Sequence, residues 1–210
     1  MTLIFNEYLE AKNYFDGKDI PRQNTYRAIL FVCRYMKELG MKRLEARDKL
    51  IEWKRENDVG SKYDVNQIID FVYDYEKRSL SKAESVYVSE SDILQITRRF
   101  DHKKTRLIAF IMLCYAKAFG NANREISVSY LDLSMWSGIS DTTIYRSVIP
   151  ELLNYDYVEI VDGSSKRFKS NEHFARRKTK YRLLVLCKNI GEYKVSDNIV
   201  AEFNRLFGYE

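Results

Sequence analysis

Residues 131–161 read LDLSMWSGISDTTIYRSVIPELLNYDYVEIV, and the punctuation of this stretch decides the architecture around it. Leu131, Leu133 and Trp136 supply the apolar side of one helix. Gly138 lets the chain turn with positive φ, and Ile139 can plug that turn into a core. Ser140 or Asp141 then offers a side-chain oxygen to the free N–H groups of a second helix, predicted from about Asp141 to Asn154. On a helical wheel Ile144, Val148, Ile149 and Leu152 share one face, and Thr142, Thr143, Arg146 and Ser147 share the opposite one. Tyr145 sits at the border, placed either to touch a ligand or to finish the core. Pro150 removes a helical hydrogen bond, and the spacing from Val148 to Leu152 is a residue longer than usual. A kink or restart is therefore predicted there, in the C-terminal half of the helix only.

Working outward, an apolar helix is predicted over Lys103 to Phe119, ending at Gly120, and Ile126 to Val128 reads as a short extended piece. Downstream, two β-type runs, Tyr157–Val161 and Lys180–Leu186, flank a long loop, and a last amphipathic helix covers about Ser196 to Phe207. Residues 1–80 read as helices. The first runs from Asn6 to Phe15; the second opens near Pro21 and stops at Gly40; the third covers Lys42 to Asn57; the fourth follows Asp64 as a plausible cap. From Ser79 to Ser91 the sequence is polar and aperiodic, the mark of a linker, and a short helix from Asp92 to Arg99 follows. No internal repeat stands out. The expected partition is a helical domain over 1–80, a linker with a short helix over 81–100, a third segment over 101–190, and a C-terminal helix over 191–210. The fold class is mainly α with a small β-hairpin.

The net charge of +5 is unevenly spread. Between Gly163 and Arg182 stand eight basic residues, Lys166, Arg167, Lys169, Arg176, Arg177, Lys178, Lys180 and Arg182, against one acid, Glu172. This local excess of seven leaves the rest of the chain at −2. A charge run is usually a solvated face. Here it joins two strands beside a helix whose exposed edge carries short hydroxyls and one long cation near its N-terminus. Such an edge suits a major groove, where small polar groups reach phosphates and an arginine reaches a guanine edge.

The succession Gly138-Ile139-Ser140, Thr143-Ile144-Tyr145-Arg146, Leu152-Leu153 and Tyr157-Val158-Glu159-Ile160 resembles the winged helix-turn-helix domains of bacterial regulators and of plasmid or phage replication proteins. The resemblance spans 101–190 and implies double-stranded DNA as partner. It makes Thr142, Thr143, Tyr145, Arg146 and Ser147 the recognition-helix contacts. Lys166, Arg167, Lys169, Arg176, Arg177, Lys178 and Lys180 become the wing contacts to phosphate. Each phosphate neutralised adds about 0.9 to the salt dependence of binding. Phe168 and Phe174 in the same loop serve as anchors more readily than as wedges in a minor groove. In the N-terminal region, Arg22, Asn24, Gly40, Ile51-Glu52-Trp53, Asn57, Ile68-Ile69 and Val72-Tyr73 are loosely similar to the C-terminal helical domain of mobile-element primases. That implies a part in replication or maintenance, with a replication protein or a second copy docking on residues 1–80. Two other readings remain: a regulator binding a palindromic operator as a dimer, and a winged-helix module that binds protein.

Other chemistry finds little footing. Gly163-Ser164-Ser165 lacks the lysine-serine end of a phosphate loop, and no acidic Asp-x-Asp pair sits in a strand context. Cys33, Cys114 and Cys187 are widely separated and read as buried reduced thiols; neither they nor His102 and His173 have metal-ligand spacing. Asp70, Asp74 and Glu76 fall on one helix edge and read as a solvated acidic face. No catalytic residue, metal or cofactor is expected. No apolar run approaches the ~18 residues of a membrane span, and the N-terminus lacks a signal-peptide pattern. The expected location is the cytoplasm of a bacterium, or of a cell carrying a virus or plasmid.

Overall fold

A computed structural model describes residues 3–22, 25–60, 63–76, 79–162, 179–185 and 191–209. The chain is mainly helical with small antiparallel sheets, and it divides into two compact units, 1–83 and 84–210.

In the first unit, α1 (Glu7–Phe15) is capped by Asn6, whose side chain accepts from the Leu9 N–H at 2.9 Å. It packs on α2 (Thr25–Glu38), followed by α3 (Arg43–Glu56) and α4 (Val65–Asp70). Asp64 caps α4 as expected, accepting from the Asn66 N–H at 2.8 Å. The fourth helix then widens into a π turn over Phe71–Tyr75, where the Glu76 N–H reaches back five residues to the Phe71 carbonyl. The Lys37 ammonium donates to the carbonyls of Val72 and Glu76, at 2.6 and 2.8 Å, and so covers acceptors that the helix end leaves open. Tyr14, Phe31, Leu50, Trp53, Ile68, Ile69 and Val72 form the core, and the Trp53 indole donates to the Tyr14 carbonyl at 2.9 Å. The fully buried Glu10 carboxylate receives two bonds from Arg27, at 3.0 and 2.8 Å, and one from the Tyr14 hydroxyl. Such a pair ties α1 to α2; removing one partner alone leaves a buried charge and costs roughly 3–5 kcal/mol. The acidic edge is less bare than its sequence suggests, because Arg43 bridges Asp70 and Asp74.

The second unit is built on α6 (Lys103–Phe119), whose residues from Leu107 to Tyr115 are all buried. Phe203 and Phe207 of α10 (Ile199–Phe207) pack on its Phe110, and the Tyr157 hydroxyl donates to its Ala109 carbonyl at 3.1 Å. Cys33 in the first unit and Cys114 here are buried free thiols, as expected; Cys187 lies outside the described residues.

Several sequence expectations are corrected. The polar stretch 79–91 is a linker only at its start, where the boundary between the two units falls between 83 and 84. It holds β1 (Ser85–Val88), paired antiparallel with β5 (Tyr193–Ser196), and it leads into α5 (Glu90–Arg99), which starts two residues before the expected Asp92. Val86 and Val88 turn inward, and that alternation is the physical reason for the strand. The C-terminal segment is accordingly strand then helix, and Ser196 ends the strand rather than opening the helix. Residues 101–190 do not stand apart, since the flanking 84–100 and 191–210 fold in the same unit.

A further correction concerns repetition. Val86-Tyr87-Val88-Ser89-Glu90-Ser91-Asp92 and Ile126-Ser127-Val128-Ser129-Tyr130-Leu131-Asp132 share one pattern of apolar alternation, serine and aspartate. In each, a four-residue strand hands over to a serine that caps the next helix; the second pair is β2 (Glu125–Val128) and α7 (Tyr130–Ser137). Each serine accepts from the aspartate N–H (3.3 Å for Ser89, 3.0 Å for Ser129), and each aspartate accepts from the serine N–H (2.8 and 3.1 Å). These are reciprocal capping boxes. A turn and a second helix follow both times: α6 after α5, and a helical run from Asp141 to Asn154 after α7.

Candidate nucleic-acid interface

The second copy of the pattern carries the predicted site. Gly138 closes α7 with φ at 72°, and a Cβ there would meet nothing within 4 Å, so the need for glycine is conformational alone. Leu133 and Trp136 are buried, while Leu131 and the turn residue Ile139 are half-buried. Of the two possible caps Ser140 is the one used: its Oγ accepts from the Thr143 N–H at 3.3 Å and lies 2.8 Å from Thr143 Oγ1.

The helical run consists of α8 (Asp141–Thr143), a π turn (Ile144–Val148) and α9 (Ile149–Asn154). Backbone angles stay in the right-handed helical region at Ile144, Val148 and Ile149, and the break expected at Pro150 takes the form of a restart, with α9 opening at Ile149. The Ile149 N–H bonds five residues back, to the Ile144 carbonyl. This one-residue widening absorbs the extra residue between Val148 and Leu152 and seats Pro150 in the first turn of α9, where its missing N–H costs least. Ile144, Val148, Ile149 and Leu152 are all buried, as the wheel requires.

On the opposite side Thr142, Tyr145, Arg146 and Ser147 are exposed. Thr143 is half-buried and engaged with Ser140. Among the described residues Arg146 has no ion-pair or hydrogen-bond partner. Asp141 at the first helical position makes the helix end itself a poor seat for phosphate, which leaves the side chains of Thr142, Tyr145 and Arg146 as the readable edge. Tyr145, at 60% exposed, stands out from the core and rests its ring on Tyr130, with centroids 5.5 Å apart.

The three-stranded sheet has the order β2–β4–β3, with β3 (Val158–Asp162) and β4 (Thr179–Leu183) forming the expected antiparallel hairpin, offset by a bulge between Ile160 and Asp162. Its outer face changes the reading of Lys180. Glu125 accepts from Lys180 at 2.6 Å and Arg182 at 2.7 Å, and Arg182 also reaches Glu159 at 2.5 Å. Hydrogen bonds from Lys180, then Asn121 and Arg182, hold the Glu125 carboxyl down at about 2. The same carboxylates raise the Arg182 guanidinium. Lys180 therefore spends its charge inside the sheet, unlike Arg146. Lys166, Arg167, Lys169, Arg176, Arg177 and Lys178 lie outside the described residues, as do Phe168 and Phe174.

Strand register brings the parts together. Thr179, where the basic loop re-enters the sheet, pairs with Val128, and Tyr130 follows two residues later. Tyr130 touches Tyr145 on the exposed helix edge. The edge and the base of the basic loop thus adjoin through one tyrosine. The sequence reading gave Tyr130 no role; its place directly after a capping serine, at the mouth of a helix, was the available signal.

Among the described residues no group of three acidic, histidine or cysteine side chains could hold a metal ion, and no helix is long and apolar enough to cross a membrane. No protein-family model, curated protein or solved structure matches the chain.

Proposed function

We propose that the chain is a double-stranded DNA-binding protein that reads the major groove with Thr142, Tyr145 and Arg146 and tracks phosphate with the basic loop 163–178, in the manner of a winged helix-turn-helix. The observation that carries this reading is the adjacency just described: an uncommitted arginine on an exposed polar helix edge, next to the base of a hairpin whose loop carries six cations against one acid. A helix edge inserted in the groove specifies sequence, and cations flanking it supply affinity. Arg146 fits the first task because a guanidinium can pair with both acceptors of a guanine. Lys180 and Arg182 contribute less to the second than their charge suggests, being neutralised by Glu125 and Glu159.

The first unit is a compact body of its own, and we assign to it the docking of a replication protein or of a second copy. With its primase-like pattern, it makes replication or maintenance of a mobile element the role we favour.

Selection of bound duplexes from a random library with the purified full chain tests the reading. Enrichment of a defined motif is the expected result. Recovery of unselected sequence, with affinity insensitive to salt, would overturn it.

A further inference from the structure

Tyr130 occupies the junction between the reading edge and the loop base, yet the proposed function gives it no task. Close to it lies Tyr181 of β4, whose side chain is completely buried and whose hydroxyl makes no hydrogen bond of sound geometry, although the hydroxyls of Tyr130 and Thr179 are its neighbours. Burial first, and then the nearby phenol of Tyr130, push the Tyr181 pKa upward against a lowering by the Thr179 hydroxyl, so Tyr181 remains a neutral O–H donor at any physiological pH. A buried hydroxyl left unpaired in a well-packed sheet opposes folding and calls for an explanation.

We propose that Tyr130 is a DNA-backbone contact whose phenol donates to a phosphodiester oxygen, with the buried Tyr181 hydroxyl donating in turn to the Tyr130 oxygen. This rests on the duplex-binding reading. In the free protein the Tyr130 hydroxyl can turn either way. A phosphate oxygen fixes it as a donor outward, which leaves its oxygen open to Tyr181 and gives the orphaned proton a partner. Bonds in such a chain polarise one another, and a bond to an ionised acceptor is the stronger kind. Placement favours phosphate over a base edge. Tyr130 lies half-buried against Tyr145, next to where the loop strand returns and outside the exposed line of Thr142, Tyr145 and Arg146, which suits it to the backbone flanking a groove rather than to a base edge. A phenol is uncharged, so this contact adds affinity without adding to the salt dependence.

The test compares Tyr130→Phe, Tyr181→Phe, the double variant and Arg146→Ala by fluorescence anisotropy on a library-selected duplex and on an unrelated one. Tyr130→Phe should weaken both duplexes alike, by about threefold to tenfold, with an unchanged salt slope. Tyr181→Phe should leave the free protein at least as thermally stable as the parent and still bind more weakly. The double variant should bind no worse than Tyr130→Phe alone. Parent-like binding by Tyr130→Phe, while Arg146→Ala is impaired, would overturn the proposal and leave the DNA reading standing. Additive losses, or a Tyr181→Phe protein of lower stability, would overturn it too. A parent chain that binds no duplex would remove both.

Discussion

Residues 85–119 and 125–154 start alike and end differently. Each opens with a four-residue strand, an inward alternation, a serine–aspartate capping box and a helix, then turns into a second helix. In the first copy that second helix is α6, and nearly everything from Thr105 to Tyr115 is buried. In the second copy the residues after the turn leave Thr142, Tyr145, Arg146 and Ser147 in solvent, over a buried row of Ile144, Val148 and Ile149. Local capping chemistry therefore fixes where a helix starts but not what its surface is for. The difference lies in the apolar pattern: continuous around α6, as in a core helix, and confined to one side of the run from Asp141.

That comparison can be broken in several places. The largest effect belongs to the buried copy. Phe110→Ala removes a fully buried ring packed on Phe203 and Phe207, and should cost about 3–5 kcal/mol in denaturant unfolding. Arg146→Ala in the open copy should move stability by no more than about 0.5 kcal/mol. The same change should cost about 1–3 kcal/mol of affinity on the selected duplex and relax its preference, both read in one anisotropy series. A smaller and symmetric effect is expected at the caps. Ser89→Ala and Ser129→Ala should each cost about 1 kcal/mol, and a clear inequality between them would show that the two boxes are not the same device.

The smallest effect concerns pH. Glu125 is held at about 2 in the folded chain against its ordinary 4.5, so the unfolded chain binds this proton first as pH falls. The stability it contributes is present above pH 4.5 and is lost as pH drops towards 2. Unfolding followed over that window should be flatter for Glu125→Gln than for the parent.

Much of this was legible in the sequence. Helical periodicity located α1, α2, α3 and α6, and Gly138 with Ser140 located the turn and the second helix start. What escaped depends on partners far away along the chain. Val86 and Val88 read as part of a polar linker because their strand partner, Tyr193–Ser196, lies more than a hundred residues on. Lys180 read as a free cation because only strand register brings Glu125 against it. Pro150 announces a kink or a restart, and sequence does not choose between them; the structure uses a π turn and restarts the helix at Ile149. Tyr130 was missed because its neighbours, Tyr145 and Tyr181, come from two different elements.

Amide hydrogen exchange of the full chain, with and without a selected duplex, addresses the contrast between the two copies. New protection should appear over Asp141–Ser147 on adding DNA, with α6 already protected in the free protein and unchanged. Protection gained at Lys103–Leu107 with none at Asp141–Ser147 would contradict the account.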